Sequence, residues 1–277
     1  ILHLASIMTG QQADRLKATP LYARAGQELA TAAETGEKLR PSTRRERIAG
    51  LDMVTFEKAI AVIRQPGAAP AAIETAGFSL AAAEVTVGEW RRFVAARPDW
   101  GLTAKASLVV SGLVDQDYMK DFDTAADGEP VRYISRYAAE AYCAWLSGNA
   151  PDGYRFALPT EAQWDVAVQA AGQSAVSIAA LAGRVDGPVA PGQLPVDDAG
   201  FRGLVGNLWE WCSGSWSTHP AAGVAGSGRY PSHEAIVRGA SYANRADLIT
   251  PDTKGPLPAF RCTAYTGFRV SLSTSKD

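Results

Sequence analysis

A length of 277 residues, with 47% hydrophobic and 20% charged residues, is typical of a globular protein with one large domain or with one domain and a smaller extension. The formal net charge of -2 gives no reason to expect nucleic acid or an anionic membrane as a partner, and no apolar run reaches the roughly 18 residues that a membrane-spanning helix needs. Three widely spaced cysteines exclude a dense disulfide framework and leave room for one bridge at most.

Residues 1–70 are predicted to form a helical extension. Alanine, glutamate, arginine, leucine and glutamine dominate this stretch, with Pro20 and Pro41 as breaks. Its later part carries an apolar stripe at helical spacing, formed by Met53, Phe56, Ile60 and Ile63. Because a helix this short is marginal alone, we expect the stripe to pack on the rest of the protein, and the helices also offer a surface for a partner protein.

Residues 71–277 are predicted to form an α+β domain. Capping residues mark three helix starts, at Thr86, Ser135 and Thr160, and a Glu or Gln stands three residues after the first and the last of them. Short β-type runs joined by long loops fill most of the remainder. The clearest of these runs are residues 78–85, 204–211, 235–238 and 267–272.

Several motifs follow one another in this second part. They are EVTVGEW at residues 84–90, AAEAYCAWL at 138–146, RFALPTEAQW at 155–164, GLVGNLWEW at 203–211, and VRGASY at 237–242 with GFRV at 267–270. In this order they resemble the motifs of the formylglycine-generating-enzyme family, also called the sulfatase-modifying-factor family. The resemblance implies a C-type-lectin-like fold that is rich in loops, and it leaves the predicted N-terminal helical segment unexplained.

The aromatic and basic residues of these motifs are expected to support such a loop-rich body. Trp164, Trp209 and Trp211 are large and rigid, and each can bury on the order of 200 Å² of surface. Arg269, in the Gly-Phe-Arg motif, is expected to be a buried and paired arginine rather than a ligand contact.

The metal chemistry of the resembled family is not expected here. By resemblance, the two cysteines that hold copper(I) in that family correspond to Asn244 and Ile249, and neither side chain is a thiolate. A copper site or a disulfide bridge built from Cys212 and Cys262 stays an open alternative. Another branch of the family uses a three-histidine iron site, but the histidines of this chain lack the spacing that places two ligands on one helical face. These histidines are His3, His219 and His233.

The resemblance also leaves a calcium site open, around residues 203–211. Glu210 keeps the carboxylate of that site, and the carbonyl groups of Gly206 and Leu208 can serve as further ligands. Gly203 stands where the family has a side-chain oxygen, so we expect at most one calcium ion, bound weakly.

The resemblance also places a ligand pocket in the last third of the chain. Its lining is expected to be Trp209, Ser241, Tyr242, Asn244, Arg245 and Arg261. The predicted ligand is a small molecule or a peptide.

Two functions are compatible with such a pocket. Relatives without the copper cysteines take part in bacterial biosynthetic pathways, including the maturation of the siderophore pyoverdine, which favours a maturation or tailoring factor. If the protein is an enzyme, it is then an oxidoreductase-type maturation enzyme. The alternative is a non-catalytic module that binds a ligand or a protein on C-type-lectin-like loops. The chain begins at Ile1, so cleavage of an export signal and a trimmed sequence are both open, and a periplasmic location is favoured over a cytoplasmic one.

Overall fold

The main sheet of the protein has five antiparallel strands. A computed structural model describes residues 41–65, 68–172, 186–216 and 234–274. The strands of the main sheet lie in the order β1, β2, β5, β11 and β6. They span Thr43–Ile48 (β1), Leu51–Phe56 (β2), Phe78–Ala81 (β5), Ser271–Thr274 (β11) and Tyr154–Ala157 (β6). The last described strand therefore pairs with both β5 and β6 and holds distant parts of the chain together.

Two smaller sheets accompany it. The second sheet has the order β10, β7, β8 and β9. Its strands are Trp209–Ser215 (β7), Glu234–Arg238 (β8), Lys254–Pro258 (β9) and the two-residue Thr266–Gly267 (β10). The third sheet is a hairpin of Ala59–Gln65 (β3) and Ala68–Thr75 (β4), which packs against a helix of the body.

Four α-helices pack on these sheets within the described ranges. They span Val87–Ala96 (α1), Lys105–Val110 (α2), Arg136–Gly148 (α3) and Glu161–Ala171 (α4). The predicted caps of α1, α3 and α4 are confirmed, because the side chains of Thr86, Ser135 and Thr160 accept backbone N–H bonds at the helix starts. The capping boxes of α1 and α4 are complete as well.

The helical interpretation of residues 43–65 is wrong, because these residues form β1, β2 and β3. Ala49 and Gly50, both with positive φ, turn the chain between β1 and β2, as a two-residue hairpin requires. The apolar positions that suggested a helix belong to two successive strands, whose β-branched residues favour extended backbone. Residues 1–40 of the predicted extension lie outside the described residues.

Three predicted strands differ in their bounds. The run at 78–85 ends as a strand at Ala81, and β7 begins only at Trp209 because Gly203 and Gly206 adopt positive φ before it. The run at 267–272 is split between β10 and β11. The run at 235–238 is confirmed as β8.

The buried apolar residues form two clusters. One surrounds Trp90 and Tyr142, whose rings stack with centroids 5.7 Å apart, and the other surrounds Trp164 and Phe201. In the ranges that the structure covers, no helix is both long enough and apolar enough to cross a membrane.

Candidate functional site

The segment that leads into β7 is anchored by a buried ion pair. Glu210 and Arg269 are both 0% exposed. Arg269 donates two hydrogen bonds of 2.7 Å to this carboxylate, from Nε to Oε2 and from Nη2 to Oε1. Trp164 Nε1 donates a third, at 3.3 Å, to Oε2. The prediction of a buried and paired arginine is therefore confirmed.

A second buried carboxyl, Glu84, lies beside this pair. It accepts hydrogen bonds from Asn207 Nδ2 at 2.7 Å and from the Leu208 amide at 3.2 Å. Burial, and then repulsion from Glu210, raise the pKa of the Glu84 carboxyl to about 8. At neutral pH this carboxyl is therefore largely protonated, which limits the charge that the two acids place in the core.

Asn207 links this core to the surface. Its side chain exchanges two hydrogen bonds with the backbone of Val189, at 2.8 and 3.0 Å. Its own carbonyl accepts a bond of 2.9 Å from the Tyr242 amide. One asparagine thus fixes both the segment around Val189 and the loop that carries the predicted pocket residues.

That loop brings three predicted residues together. Asn244 Oδ1 accepts hydrogen bonds from the Ser241 amide at 2.9 Å and from Ser241 Oγ at 3.0 Å. Tyr242 lies between them in sequence, and its ring packs against Tyr265 with 5.7 Å between centroids. Ala240, with φ of 62°, turns the chain into this loop. Ser241 and Asn244 therefore shape the loop through their own contacts, while Tyr242 is buried and the 46% exposed Tyr265 supplies aromatic surface.

The remaining predicted residues have partners of their own. Arg245 forms an exposed ion pair with Asp247, and Arg261 forms one of 2.9 Å with Asp115. Trp209 is half-buried, and its amide donates a bond of 2.8 Å to the Tyr265 carbonyl. In the part of the chain that the structure describes, neither arginine bonds to Ser241, Tyr242 or Asn244.

A cavity of about 590 Å³ was not predicted from the sequence, and its lining residue Val189 is joined to Tyr242 through the hydrogen bonds of Asn207. It is lined by two segments, residues 126–132 and 187–193, in particular Glu129, Arg132 and Gln193. Arg132 and Asp121 form an ion pair, and both lie near enough to the Tyr242 phenol to influence its pKa, which burial raises. No motif marks these segments, so no signal in the sequence points to them.

Unusual backbone geometry also occurs beside the cavity. Met119 and Tyr133 both adopt positive φ, 53° and 57°, and the Met119 amide bonds to the Tyr133 carbonyl at 2.9 Å. For side chains of this size such a conformation costs on the order of 1–3 kcal/mol each, and residues of this kind cluster at functional sites. Tyr133 directly follows Arg132, so the strained backbone positions a residue that lines the cavity.

The cysteines offer no reactive thiol in this structure. Cys143, Cys212 and Cys262 are free and buried, and burial raises the pKa of each thiol. Cys212 and Cys262 lie in different apolar clusters, so the bridge and the shared copper site that the sequence left open are not formed. Ile249 is buried and apolar, and Asn244 is engaged with Ser241, so the residues at the family's copper positions do not fit copper(I).

Iron and calcium are the other metals that the sequence analysis considered. Within the described residues, no group of three or more His, Cys, Asp or Glu side chains could hold a metal ion. His3, His219 and His233 lie outside those residues. Both oxygens of Glu210 are held by Arg269, so in this arrangement the carboxylate offers calcium no free oxygen. Calcium binding with Gly206, Leu208 and Glu210 stays a prediction.

Comparison with known proteins agrees with this architecture. The family described as "Sulfatase-modifying factor enzyme 1-like domain" matches residues 46–186 and 187–273. A hercynine oxygenase of Mycolicibacterium thermoresistibile is 24% identical over 247 residues, which cover 74% of this chain and 53% of that protein. A formylglycine-generating enzyme of Bos taurus is 27% identical over 172 residues, which cover 49% of this chain and 44% of that protein. The chain thus spans about half the length of these relatives.

Solved structures show the same fold. PvdO from Pseudomonas aeruginosa superposes with a TM-score of 0.55 at 17% identity, over 86% of this chain and 100% of that one. Treponema denticola variable protein 1 superposes with a TM-score of 0.54 at 16% identity, over 83% of this chain and 99% of that one. At this identity the likeness establishes the fold alone.

Proposed function

Because the chain belongs to the sulfatase-modifying factor enzyme 1-like family, we propose that it is a tailoring factor of a bacterial biosynthetic pathway, such as the oxidative maturation of a peptide siderophore. Relatives in this family carry the names hercynine oxygenase and formylglycine-generating enzyme, which denote oxidative tailoring of a small molecule and of a protein side chain. In the proposed role the chain works without copper–cysteine chemistry, because its thiols are buried and, by the family resemblance, Asn244 and Ile249 stand in place of the two copper cysteines.

The observation that carries the proposal is the Tyr242–Tyr265 pair at the end of the Asn207 network. Tyr242 is held through its amide by Asn207, and Tyr265 presents an open ring beside it. A phenol is protonated at neutral pH and burial raises the pKa of Tyr242 further, so its hydroxyl is a hydrogen-bond donor for a substrate oxygen that reaches it. The contribution of these residues is to bind and orient a substrate.

The alternative function is a non-catalytic module that binds a ligand or a protein. It is favoured by the ion pairs of Arg245 with Asp247 and of Arg261 with Asp115. An arginine that is held by a carboxylate can shape a binding surface without acting on a substrate. The two functions differ in whether loss of the protein changes the chemistry of a metabolite.

The test is to delete the gene in the source bacterium and compare its metabolites by mass spectrometry. A tailoring factor predicts that a reduced precursor accumulates, and that the wild-type gene restores the mature product. Tyr242→Ala should fail to restore it, while Tyr154→Ala, in β6 of the main sheet and outside the candidate site, should restore it. An unchanged metabolite profile in the deletion strain would favour the binding module.

Export to the periplasm belongs to the proposal and is checked by cell fractionation against marker enzymes.

A further inference from the structure

The cavity lined by residues 126–132 and 187–193 carries opposite charges on the first of these two segments. Glu129 and Arg132 stand three residues apart and both line it, together with Gln193 and the backbone of residues 187–190. A volume of about 590 Å³ lies within the range of roughly 300–1,000 Å³ that is usual for sites of small molecules. The cavity can therefore hold a ligand of the size of a dipeptide.

Arg132 has donors left for such a ligand. Its Nε donates to Asp121, whereas Nη1 and Nη2 form no hydrogen bond with any residue in the described ranges. Nη1 lies beside Gly187, where an added Cβ would stand 3.6 Å away. The guanidinium thus presents two terminal nitrogens next to a cavity residue without a side chain, in the fork arrangement that binds a carboxylate.

Glu129 is suited to the opposite end of a ligand. Its Oε1 accepts one long bond of 3.3 Å from the Ala126 amide, and Oε2 forms no hydrogen bond with any residue that the structure describes. The side chain is half-buried, so a cation that reaches it is partly shielded from water. Tyr242, whose ring contacts Tyr265, is joined to the cavity residue Val189 through the hydrogen bonds of Asn207.

From these contacts we propose that the cavity binds an amino acid or short peptide in its zwitterionic form, with the carboxylate on Arg132, the ammonium group on Glu129 and an aromatic side chain towards Tyr242. The inference rests on the proposed function, because it names the substrate class of the same site. It predicts that both charged ends of the ligand contribute to its affinity for the cavity, so that neutralising either end weakens binding.

The probes are glycyl-tyrosine, its C-terminal amide and its N-acetyl derivative, and the measurement is saturation-transfer NMR backed by calorimetric titration. Glycyl-tyrosine should bind, and each blocked form should bind at least about tenfold more weakly. Arg132→Gln should remove the preference for the free carboxylate, and Glu129→Gln the preference for the free amine. Arg136→Gln is the matched control, because Arg136 is equally half-buried and also pairs with one carboxylate, Glu140.

A variant that leaves all charges in place separates the site from a general charge effect. Gly187→Val adds a side chain beside Arg132 Nη1, at a position with room for a Cβ, and should weaken glycyl-tyrosine binding about tenfold or more without changing thermal stability. Absence of binding, or equal binding of the free and blocked dipeptides, would overturn the inference. If the dipeptide binds as expected but the deletion strain has unchanged metabolites, the tailoring function fails and the zwitterion site stands. If a precursor accumulates but Arg132→Gln binds the dipeptide normally, the zwitterion site fails and the tailoring function stands.

Discussion

Arg269 and Glu210 meet in the core of the protein with no exposure to solvent, joined by two hydrogen bonds of 2.7 Å. Arg269 precedes β11 of the main sheet, and Glu210 lies in β7 of the second sheet. The guanidinium also donates to the carbonyls of Ala81 and Arg202, at 3.1 and 3.2 Å. The pair therefore ties β7 of the second sheet to the end of β5 in the main sheet and to the loop that carries Arg202.

Arg269→Met is expected to destabilise the protein by about 3–5 kcal/mol, because it leaves the Glu210 carboxylate buried without its cationic partner. The double variant with Glu210→Gln should recover a large part of that loss, since the buried charge is then removed as well. Urea unfolding measures the free energy of unfolding of the single and the double variant. Arg47→Ala, which removes an exposed pair with Asp52, is the control and should cost no more than about 1 kcal/mol. If Arg269→Met and Arg47→Ala lost the same free energy of unfolding, the role given to the buried pair would be contradicted.

Calcium is expected to stabilise the protein little, because Arg269 already binds both oxygens of Glu210. With a dissociation constant of about 1 mM, calcium at about 1 mM would add only about 0.4 kcal/mol to the free energy of unfolding. Thermal unfolding with calcium and with a chelator measures the difference. A rise of several degrees that disappears in Glu210→Gln would show a tighter site and would require Arg269 to move.

The stability of the protein is expected to fall as the pH rises from about 4.5 to about 8. The pKa of Glu84 is raised from 4.5 to about 8 in the folded protein, so between these values the folded state holds a proton that the unfolded chain has released. The loss amounts to at most about 1.4 kcal/mol per pH unit. Asp165, with a pKa raised to about 6, acts in the same direction below that pH. Urea unfolding of wild type and Glu84→Gln at several pH values is the test, and an unchanged slope in the variant would refute the assignment.

The elements that the sequence predicted well depend on local chemistry. Thr86, Ser135 and Thr160 start their helices through hydrogen bonds to residues three positions away, so each signal lies within one short stretch. The motifs of the family likewise gave the fold, because they bring buried aromatic and charged residues such as Trp164 and Arg269 to fixed places in the core.

The elements that the sequence missed depend on contacts between distant residues. The apolar residues of β2 and β3 are spaced as on a helix, and only the pairing of β2 with β5 shows that they belong to strands. The cavity combines residues 126–132 with 187–193, which Asn207 holds in place through Val189. Neither segment carries a motif, so their proximity appears only in the folded structure.

The three cysteines are expected to be inert in the native protein. Each is buried with a raised pKa, so little thiolate is present at neutral pH to react with an aromatic disulfide reagent or to bind copper(I). We therefore expect three thiols to react only after denaturation, and no oxidation of the cysteine in a sulfatase-type peptide. Rapid native labelling, or one tightly bound copper(I) ion per chain, would contradict this expectation.

Phe56 and Val54 are expected to behave as core residues of one strand. Phe56 is 1% exposed and stacks on Phe78 with 4.7 Å between centroids, and Val54 is 0% exposed. Phe56→Ala should cost about 3–5 kcal/mol and Val54→Ala about 2 kcal/mol of unfolding free energy. The Val54 variant is the decisive one, because an apolar helical stripe through Met53 and Phe56 would leave Val54 outside it. Glu57→Ala, at an exposed position, is the control and should change stability by no more than about 0.5 kcal/mol. If Val54→Ala were as mild as that control in urea unfolding, β2 would not be part of the core.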